Sequence, residues 1–592
     1  MPTTAAEIVA AHHAGRRIAE TIAQAYRRFE AHADPALFIS LRPLADALAQ
    51  AERLQAQGPE GKPLWGVPFV VKDNIDVAGL PTTAACPAFA YSPARSAHVV
   101  ERLEAAGAIP LAKTNLDQFA TGLVGVRSPY GVPRNALRAA LIPGGSSSGS
   151  ATAVGAGLVP FSLGTDTAGS GRVPAALNGI VGLKPSLGAL SARGLVPACR
   201  TLDTISIFAL DVADAFAAFT AASGYDEADA YSRRFPAPVL SAPPPHARLA
   251  VPDRPEFFGD ALSAKAFKAD VARLRDLGWR VEEIDFAPFA HTARLLYEGP
   301  WVAERYAATK PLIVENPGAL HPVTRAILEG AAKFDAVATF EAFYRLADLK
   351  VATRKALAGF DALVVPTMPR PYTVAEVEAD PIRLNSRLGT YTNFVNFLDL
   401  AAIAVPSGLR GDALPSHLTL IGPSGADGFL AGMAAAIQAA SGAPLGATGR
   451  PAPPAAPANI RAAPGRIEIA VVGAHLSGLP LNHELTGRSG VFLRRARTAA
   501  DYRLYALPGT VPPKPGLLRV AEGTGGAIEV EVWALDEAGF GAFVAAIPAP
   551  LGIGTLRLDD GTNPKGFLAE PVALEGADDV TAYGGWRAYV KR

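Results

Sequence analysis

The sequence predicts an α/β fold with a mixed β-sheet covered by helices on both faces, followed by a smaller β-rich domain. Its 592 residues exceed what one hydrophobic core usually organises, so we expect at least two domains. Short apolar runs such as DALVVP (361–366) and AAIAVPSG (401–408) alternate with helix-like stretches, which is typical of a sheet covered by helices. A stretch rich in proline and alanine, residues 441–465, indicates a linker between domains at 1–440 and 466–592.

The first domain begins with a segment of helical periodicity, residues 1–55. The run WGVPFVVKDNI (65–75) then predicts a short strand that ends in a charged turn and delivers Lys72 to a loop. HVVERLEAAGAIPLAKTN (98–115) predicts a helix, a glycine stop and a strand. The alternation of these patterns supports the α/β assignment.

The second domain shows strand patterns with few long helices. The runs RIEIAVVGAHLSG (466–478), YRLYAL (502–507), AIEVEVWAL (527–535) and LRLDDG (556–561) each predict a strand. We therefore expect residues 466–592 to be rich in β-structure.

Composition and charge exclude several classes of protein. Lys plus Arg and Asp plus Glu both number 55, so nothing favours nucleic acid or an anionic membrane as a partner. Two cysteines are too few for a disulfide-rich scaffold, and no liganding pair of histidines is evident, so we expect no metal and no cofactor. The sequence shows neither a signal peptide nor an apolar run long enough to cross a membrane, which predicts a cytoplasmic location.

Two segments rich in glycine and serine carry the chemistry. PGGSSSGSATAVGAG (143–157) contains Ser146, and LGTDTAGSGRVPA (163–175) contains Ser170, 24 residues later. The first segment lacks the GK[ST] ending of a nucleotide-binding loop, and Ser170 lacks the GxSxG context of a Ser-His-Asp hydrolase. If Ser170 is a nucleophile, a group other than a nearby histidine takes its proton, and Lys72 is the available base.

Lys72 in VKDN, Ser146 in GGSSSGS and Ser170 in GTDTAGS resemble the Ser-cisSer-Lys triad of the amidase-signature family. The resemblance covers most of residues 50–410. It implies amide hydrolysis in which neutral Lys72 withdraws a proton from Ser146, which withdraws one from the nucleophile Ser170. A lysine must lose about 3 pKa units to act as a base near neutral pH, and burial beneath neutral hydroxyls supplies such a shift.

The same resemblance implies an oxyanion hole lined by the backbone N–H groups of Thr167, Ala168, Gly169 and Ser170. Small residues let a substrate approach the backbone closely at such a site. Ala168 stands where most of the family has glycine. Its methyl group changes the wall of the pocket but leaves the N–H donor in place.

Two features are similar to the allophanate hydrolase branch of the family, namely the GTDTAGSGRVPA motif and the linked C-terminal domain. Allophanate is urea carrying a carboxylate, so the implied substrate is a small anion that a planar cation recognises well. Tyr297 and Arg305 in LLYEGPWVAERYA match positions that bind this carboxylate in that branch. The intervening Gly299-Pro300 pair should end one helix and begin another, letting both side chains converge. The alternative is a packed tyrosine and a surface arginine.

The C-terminal domain resembles the γ-glutamyl-cyclotransferase-like fold through VVGAHLSGLPLN and EVEVWAL. In the allophanate hydrolases this domain is implicated in decarboxylating the first product, N-carboxycarbamate. His475, in a glycine-flanked turn after a strand, is the candidate residue, because an imidazole binds anions and transfers protons near pH 7. Arg488, Lys514 and Lys565 either help to bind anions there or are ordinary solvated side chains.

The resemblance also implies a homodimer, with the helical N-terminus as a candidate interface, and a urea carboxylase as a further partner. Three alternatives stay open. The chain is a general aliphatic or aryl amidase, a transamidosome subunit that needs partner chains and ATP, or a scaffold without catalysis. In a milder version of the last alternative, only the C-terminal domain is an interaction module.

Overall fold

The computed structural model describes residues 4–454, 461–463 and 465–591. An eleven-stranded mixed sheet forms the centre of the first part of the chain and confirms the predicted fold class. Its strands in chain order are β1 (Phe38–Leu41), β2 (Pro68–Lys72), β3 (Ile109–Thr114), β4 (Phe161–Asp166), β5 (Val181–Lys184), β6 (Thr204–Ala209), β7 (Arg248–Pro252), β8 (Arg280–Ile284), β9 (Ala362–Pro366), β10 (Leu400–Leu409) and β11 (Pro415–Pro423).

The strands are ordered β1-β3-β2-β4-β6-β5-β10-β11-β9-β7-β8. β2 pairs in parallel with β3 and β4, and β7 with β8 and β9, whereas the other neighbours are antiparallel. Every residue of β2 and β4 is buried, which is the pattern of strands covered on both faces. Because β2 and β4 run in the same direction, their C-terminal ends, Lys72 and Asp166, lie at the same edge of the sheet.

Helices cover both faces of this sheet. Val71 and Val70, adjacent on β2, belong to two different hydrophobic clusters, one on each face. No described helix is long and apolar enough to cross a membrane. The helices of this part are α1 (Ala5–His13), α2 (Ile18–His32), α3 (Leu44–Gln57), α4 (His98–Ala105), α5 (Ser148–Gly155), α6 (Val173–Asn178), α7 (Val212–Ala222), α8 (Ala261–Asp276), α9 (Ala287–Glu298), α10 (Trp301–Glu315), α11 (Pro322–Glu329), α12 (Ala336–Ala356), α13 (Val374–Ala379), α14 (Arg383–Leu388), α15 (Phe394–Phe397) and α16 (Asp427–Ala440).

The N-terminal segment, residues 1–55, is helical over much of its described length, as its periodicity predicts. Ile18, Ile22 and Phe29 of α2 are buried in the cluster that contains Val70, so this helix packs against the chain's own sheet. The short strand β1 between α2 and α3 was not predicted. It has only four residues and joins the sheet at its edge, so it carries no alternation of apolar and polar residues.

The predicted linker, residues 441–465, begins directly after α16. Residues 455–460 and 464 lie outside the described residues. The part before them is held by the first domain, since Leu445 is buried among the N-terminal helices and Arg450 forms an ion pair with Glu7.

The C-terminal part contains a five-stranded sheet of order β13-β16-β12-β18-β17 and a three-stranded sheet of order β15-β14-β19. This β-rich architecture also agrees with the sequence prediction. The elements are β12 (Arg466–Val471), α17 (His483–Thr486), β13 (Val491–Arg497), β14 (Tyr502–Ala506), β15 (Pro515–Arg519), β16 (Glu529–Asp536), α18 (Glu537–Ala545), β17 (Leu551–Thr555), β18 (Lys565–Ala569), β19 (Asp578–Asp579) and α19 (Trp586–Val590).

One predicted strand of this part, LRLDDG (556–561), is wrong. β17 ends at Thr555, and the residues that follow form a loop. The Asp560 carboxylate there accepts hydrogen bonds from the backbone N–H and the hydroxyl of Thr562. Such a local turn satisfies polar groups that a strand would pair with a neighbour.

Candidate active site

Lys72 ends β2, an interior strand of the large sheet, and its side chain is fully buried. Its Nζ donates hydrogen bonds to the Oγ of Ser146 at 2.8 Å and to the Oγ1 of Thr165 at 2.6 Å. Both acceptors are neutral hydroxyls. No carboxylate oxygen lies within ion-pair distance of this amine among the residues that the structure describes.

Burial lowers the pKa of Lys72 to about 7, although Asp117, Asp203 and Asp166 raise it through longer-range attraction. Taking an ammonium group out of water disfavours its charged form, and neutral hydroxyls do not compensate fully. A substantial fraction of Lys72 is therefore an uncharged amine near neutral pH. An uncharged amine keeps a lone pair that accepts a proton from a hydroxyl.

Ser146 follows a cis peptide bond with Gly145, and its side chain is fully buried. A Cβ atom at Gly145 would lie 2.1 Å from an Oδ2 of Asp117 and 2.6 Å from the backbone nitrogen of Gly125. Glycine is required at position 145 because another loop approaches the backbone this closely. The Asp117 carboxylate organises that loop, accepting hydrogen bonds from the backbone N–H groups of Gly125 and Arg127.

Ser170 lies in the loop between β4 and α6, and its Oγ donates a hydrogen bond to the Gly122 carbonyl at 3.5 Å. The hydrogen bonds between described residues do not include one from Ser170 to Ser146. The structure thus brings Lys72 and Ser146 into direct contact, while the Ser170 hydroxyl faces Gly122.

A buried ion pair holds the Ser170 loop in shape. The Arg172 Nε donates to the Asp166 Oδ2 at 2.9 Å, and neither side chain has exposed surface. The backbone N–H of Gly171 donates to the same carboxylate at 3.0 Å. Burial alone would raise the pKa of Asp166, but the Arg172 guanidinium and these hydrogen bonds bring it below its usual value. The loop is fixed by a carboxylate that stays ionised.

The four predicted oxyanion-hole donors are not equivalent. The Gly169 N–H donates to the Asp166 Oδ1 at 2.8 Å, so this donor is already engaged. The N–H groups of Thr167, Ala168 and Ser170 have no acceptor among the described residues. These three remain available to a developing negative charge. Gly169 differs from the other three because its N–H is within hydrogen-bonding distance of the Asp166 carboxylate in the same loop. The sequence pattern alone did not indicate this contact.

Arg305 and Tyr297 lie on two helices separated by the Gly299-Pro300 pair, as predicted. α9 ends at Glu298 and α10 begins at Trp301. The Arg305 side chain is buried, with 2% of the residue exposed, and its Cζ lies 6.0 Å from the centroid of the Tyr297 ring. The alternative of a surface arginine is wrong.

The Arg305 guanidinium is poorly satisfied by the protein. Its Nη1 donates long hydrogen bonds to the Ala120 carbonyl (3.3 Å) and the Thr121 Oγ1 (3.4 Å), and its buried Nε has no partner among the described residues. No described carboxylate lies within ion-pair distance of it. Buried arginines are normally paired with an anion. Arg305 therefore has the properties of a binding group for an anionic ligand.

Arg305 and Ser170 contact the same short stretch of chain. Arg305 binds Ala120 and Thr121, and Ser170 binds the adjacent Gly122. Two residues of extended chain span at most about 7 Å. The Ser170 hydroxyl and the Arg305 guanidinium therefore lie near the same stretch of backbone. The Tyr297 ring packs in the same hydrophobic cluster as Ala168 of the Ser170 loop.

Sequence reasoning did not single out Thr165 and Asp203. Thr165 lies within the GTDTAGS motif, and the parallel pairing of β2 with β4 places it against Lys72. Asp203 accepts a hydrogen bond from the Thr167 hydroxyl at 2.5 Å, and burial raises the pKa of Asp203 to about 6. Thr165 could have been recognised from the sequence, because it belongs to the GTDTAGS motif. Asp203 could not, because it contacts that motif through Thr167, which is 36 residues away along the chain.

His475 lies in a separate cavity of about 170 Å³ in the C-terminal part, together with Glu484 and Lys514. The Nε2 of His475 and the Oε2 of Glu484 are 3.0 Å apart, and the imidazole ring stacks on Phe567 with centroids 5.2 Å apart. Burial lowers the pKa of His475, and Glu484 opposes this shift. The cavity combines a partly buried base, a carboxylate and a cation.

The three cations that the sequence associated with His475 have different environments. Lys514 lines the cavity with His475. Arg488 does not line the cavity and donates to the backbone carbonyl of Glu484 at 2.7 Å, and the exposed Lys565 donates to Thr555. Of the three, only Lys514 is placed to meet an anion in the cavity.

The chain belongs to the amidase family, whose profile, described as Amidase, matches residues 20–430. Residues 467–591 match the family described as Allophanate hydrolase C-terminal domain. A chain with both matches is an amidase-family hydrolase of the allophanate hydrolase type. These matches agree with the family resemblance seen in the catalytic motifs.

Individual relatives support the same assignment. The chain is 43% identical to a urea amidolyase of Lachancea kluyveri, with 94% of this chain and 31% of the relative covered. It is also similar to the solved structure of Kluyveromyces lactis allophanate hydrolase, with 42% identity, a TM-score of 0.78 and 99% of both chains covered. The solved structure of a peptide amidase from Stenotrophomonas maltophilia is 28% identical, with a TM-score of 0.64 and with 76% of this chain and 98% of its own covered. The chain spans about a third of the length of the urea amidolyases that it matches.

Proposed function

We propose that the protein hydrolyses allophanate to ammonia and N-carboxycarbamate, with Ser170 as nucleophile, Ser146 as proton relay and Lys72 as base. The observation that carries this proposal is the buried Arg305 guanidinium, which has no carboxylate partner among the described residues and contacts the same loop as Ser170. A cation in this position favours a substrate that brings its own negative charge. The similarity to Kluyveromyces lactis allophanate hydrolase supports the same substrate.

In the proposed first step, Ser146 gives its proton to the neutral Lys72 amine and takes one from Ser170. The Ser170 Oγ forms a bond to the carbonyl carbon of the terminal amide, and the carbonyl oxygen becomes negative. The free N–H groups of Thr167 and Ala168, with that of Ser170, stabilise this oxygen. The C–N bond then breaks, and the relay returns the proton to the departing nitrogen, which leaves as ammonia.

In the second half of the reaction, water attacks the acyl-enzyme. The relay of Ser146 and Lys72 takes a proton from this water and returns it to the Ser170 oxygen, while N-carboxycarbamate leaves. Thr165 holds the lysine amine in line with Ser146 by accepting its other hydrogen bond. Because Thr165 is a neutral acceptor, it orients the amine without favouring the ammonium form.

We propose that the substrate carboxylate binds Arg305 and the Tyr297 hydroxyl. The guanidinium presents several N–H donors in a plane, and a carboxylate accepts two of them at once. The unpartnered Nε of Arg305 is one such donor. An uncharged amide leaves this cation without a partner, so the site discriminates against the neutral substrates of a general amidase.

For the C-terminal part we propose that His475 and Lys514 promote the loss of carbon dioxide from N-carboxycarbamate. In this step one C–N bond breaks, carbon dioxide leaves, and the nitrogen takes a proton. Lys514 is placed to hold a carboxylate, and the His475–Glu484 pair supplies the proton. The open alternative is that this part is an interaction module, in which case His475 does not affect the products.

The proposed domains are an amidase domain at 1–440, a linker at 441–465 and a C-terminal domain at 466–592, acting in the cytoplasm. The similarity to urea amidolyases supports a functional partnership with a urea carboxylase, which we propose as the partner. Such a partner would make the substrate by adding the carboxylate to urea.

We propose a homodimer, but not through the N-terminal helices, whose apolar face is buried within the chain. An exposed apolar stripe on α12, formed by Val337, Phe340, Tyr344 and Val351, supports a different interface. Analytical ultracentrifugation of the wild type and the variant Phe340→Glu/Tyr344→Glu tests this. A dimer that becomes a monomer supports the proposal, and an unchanged dimer excludes this surface.

The proposed activity is tested by ammonia release from allophanate, biuret, malonamate and acetamide. We expect turnover of allophanate to exceed that of acetamide by at least about 100-fold, the contribution of one charge-assisted bidentate contact. Equal turnover of the neutral amide would favour the general amidase. No ammonia from any substrate, in a protein with a cooperative thermal transition, would favour the scaffold.

A further inference from the structure

A cavity of about 410 Å³ lies between the amidase part and the C-terminal part of the chain. Its walls come from α7 and α16 on one side and from the start of β12 and residues 483–491 on the other. It shares no lining residue with the cavity of His475, and none of the catalytic residues lines it. The volume lies in the range of sites that bind small organic molecules.

Two arginines line this cavity without a carboxylate partner among the described residues. The guanidinium of Arg102, on α4, makes no hydrogen bond or ion pair there, and its Nε is buried. Arg466 donates through Nη1 to the backbone carbonyls of Ser489 (3.0 Å) and Ala534 (3.4 Å), but its buried Nε is also unpartnered. Both arginines are half-buried, and a buried N–H group without an acceptor is a donor that a ligand can satisfy.

The other charged residues that line the cavity are already engaged. The Asp427 carboxylate accepts two hydrogen bonds from Ser186, and the Asp361 carboxylate accepts one from the backbone N–H of Arg248. Arg233 is paired with Asp399. Arg102 and Arg466 are therefore the two lining guanidinium groups that have no anionic partner among the described residues.

The rest of the wall is strongly apolar and aromatic. It includes Phe219, Tyr225, Phe235 and Phe429, together with a run of small and proline residues at 236–239. Aromatic walls bury a large apolar area and suit a ring or a short hydrocarbon chain. A simple inorganic anion would leave most of this surface without a contact.

We propose that this cavity is a binding site for a small organic acid with an aromatic or apolar body, whose carboxylate is neutralised by Arg102 and Arg466. Because the walls come from both parts of the chain, such a ligand stabilises their mutual packing. The site is separate from the proposed hydrolysis and decarboxylation steps, and it does not depend on them.

Isothermal titration calorimetry with 4-phenylbutyrate and the uncharged 4-phenylbutan-1-ol tests this proposal. We expect one saturable site for the acid and at least about tenfold weaker binding of the alcohol, because an isosteric alcohol leaves both arginines unpaired. No saturable binding of the acid would overturn the proposal, as would equal binding of both compounds.

Substitutions of the two arginines test whether 4-phenylbutyrate binds in this cavity. Arg102→Gln and Arg466→Gln should each weaken binding of 4-phenylbutyrate about tenfold. Arg102 makes no hydrogen bond within the described residues, so its replacement should not perturb folding, which a thermal melt checks. Arg325→Gln, in an exposed ion pair on α11, is the matched control and should bind like the wild type. Loss of binding in Arg305→Gln but not in Arg102→Gln would place the ligand in the hydrolytic site and overturn the proposal.

Discussion

The surroundings of Lys72 and His475 differ in burial and in partners, although both side chains are proposed to move protons. Lys72 is fully buried, and the hydrogen bonds of its amine to described residues go to the hydroxyls of Ser146 and Thr165. His475 keeps 13% of its side chain exposed, opens into a cavity and contacts the Glu484 carboxylate. Burial lowers the pKa of both groups.

The difference follows from where each pKa begins. An amine that must fall from 10.5 to about 7 needs on the order of 5 kcal/mol of differential destabilisation of its charged form. For Lys72, complete burial beside neutral partners is the main cause of this shift, and the end of an interior strand of the large sheet provides such surroundings. An imidazole already titrates near neutral pH, so it functions in an open cavity with a carboxylate beside it. The position of a base in a fold therefore reflects how far its pKa has to move.

The largest expected effect is on the nucleophile. Ser170→Ala should lower the rate of ammonia release from allophanate by at least about 10⁴-fold, because no other group forms the acyl-enzyme. The measurement is kcat by coupled ammonia detection. Ser148→Ala is the matched control and should keep most of the activity, because Ser148 is a buried serine of the neighbouring motif whose Oγ donates to the Asn115 carbonyl. Substantial activity in Ser170→Ala would exclude the proposed nucleophile.

The variant Lys72→Met tests whether the buried Lys72 amine is the base of the hydrolytic site. We expect kcat to fall about 10³-fold. In the wild type the pKa of Lys72 is lower in the folded state, about 7, than in the unfolded chain, so unfolding takes up protons between pH 7 and pH 10.5. The buried Lys72 amine therefore lowers the free energy of unfolding most at pH 7 and below. This destabilisation becomes smaller as the pH rises toward 10.5.

Removing the buried amine should accordingly raise the thermal midpoint at pH 7 by a few degrees, measured by calorimetry. The wild-type kcat should also fall as the pH is lowered through about 7, because protonated Lys72 accepts no proton. A lower midpoint in Lys72→Met, or a rate independent of pH between 5.5 and 8, would contradict a neutral buried lysine.

The variant Arg305→Gln tests whether the Arg305 guanidinium near Ser170 binds the substrate carboxylate. We expect kcat/KM for allophanate to fall about 100-fold, because a charge-assisted contact is lost, while acetamide hydrolysis stays within a few-fold of the wild type. Steady-state kinetics with both substrates measure the difference. Arg325→Gln serves as the surface control. An equal loss on both substrates would mean that Arg305 supports the loop at Ala120 and Thr121 rather than the substrate.

The smallest effect is expected in the C-terminal cavity. His475→Gln should leave the first ammonia release unchanged and slow carbon dioxide release about tenfold, since general acid–base groups contribute at least this much. Parallel measurements of ammonia and carbon dioxide from one reaction separate the two steps. Glu484→Gln should act in the same direction, because the carboxylate supports the charged imidazole. Unchanged carbon dioxide release in both variants would favour the interaction-module alternative.

Much of the local structure was predictable from residue order. The strand that ends in Lys72, the helix break at Gly299-Pro300 and the strands β9 and β10 all have local signals in apolar runs and turn residues. The run at 556–561 shows the limit of predicting strands from apolar runs. Its apolar residues are buried, but they lie in a loop whose turn is stabilised by the Asp560 carboxylate. Apolar character predicts burial more reliably than it predicts the element that is buried.

By itself, the sequence determined the order of the elements, the glycines that allow close backbone contact at positions 145 and 169, and the residue types of the proposed triad. The tertiary structure alone decided that Thr165 contacts Lys72, that Gly169 is engaged by Asp166 and that Arg305 has no carboxylate partner among the residues the structure describes. The physical reason is that turn and strand preferences act between neighbours in the chain, whereas pKa values and hydrogen-bond partners depend on groups brought together by folding.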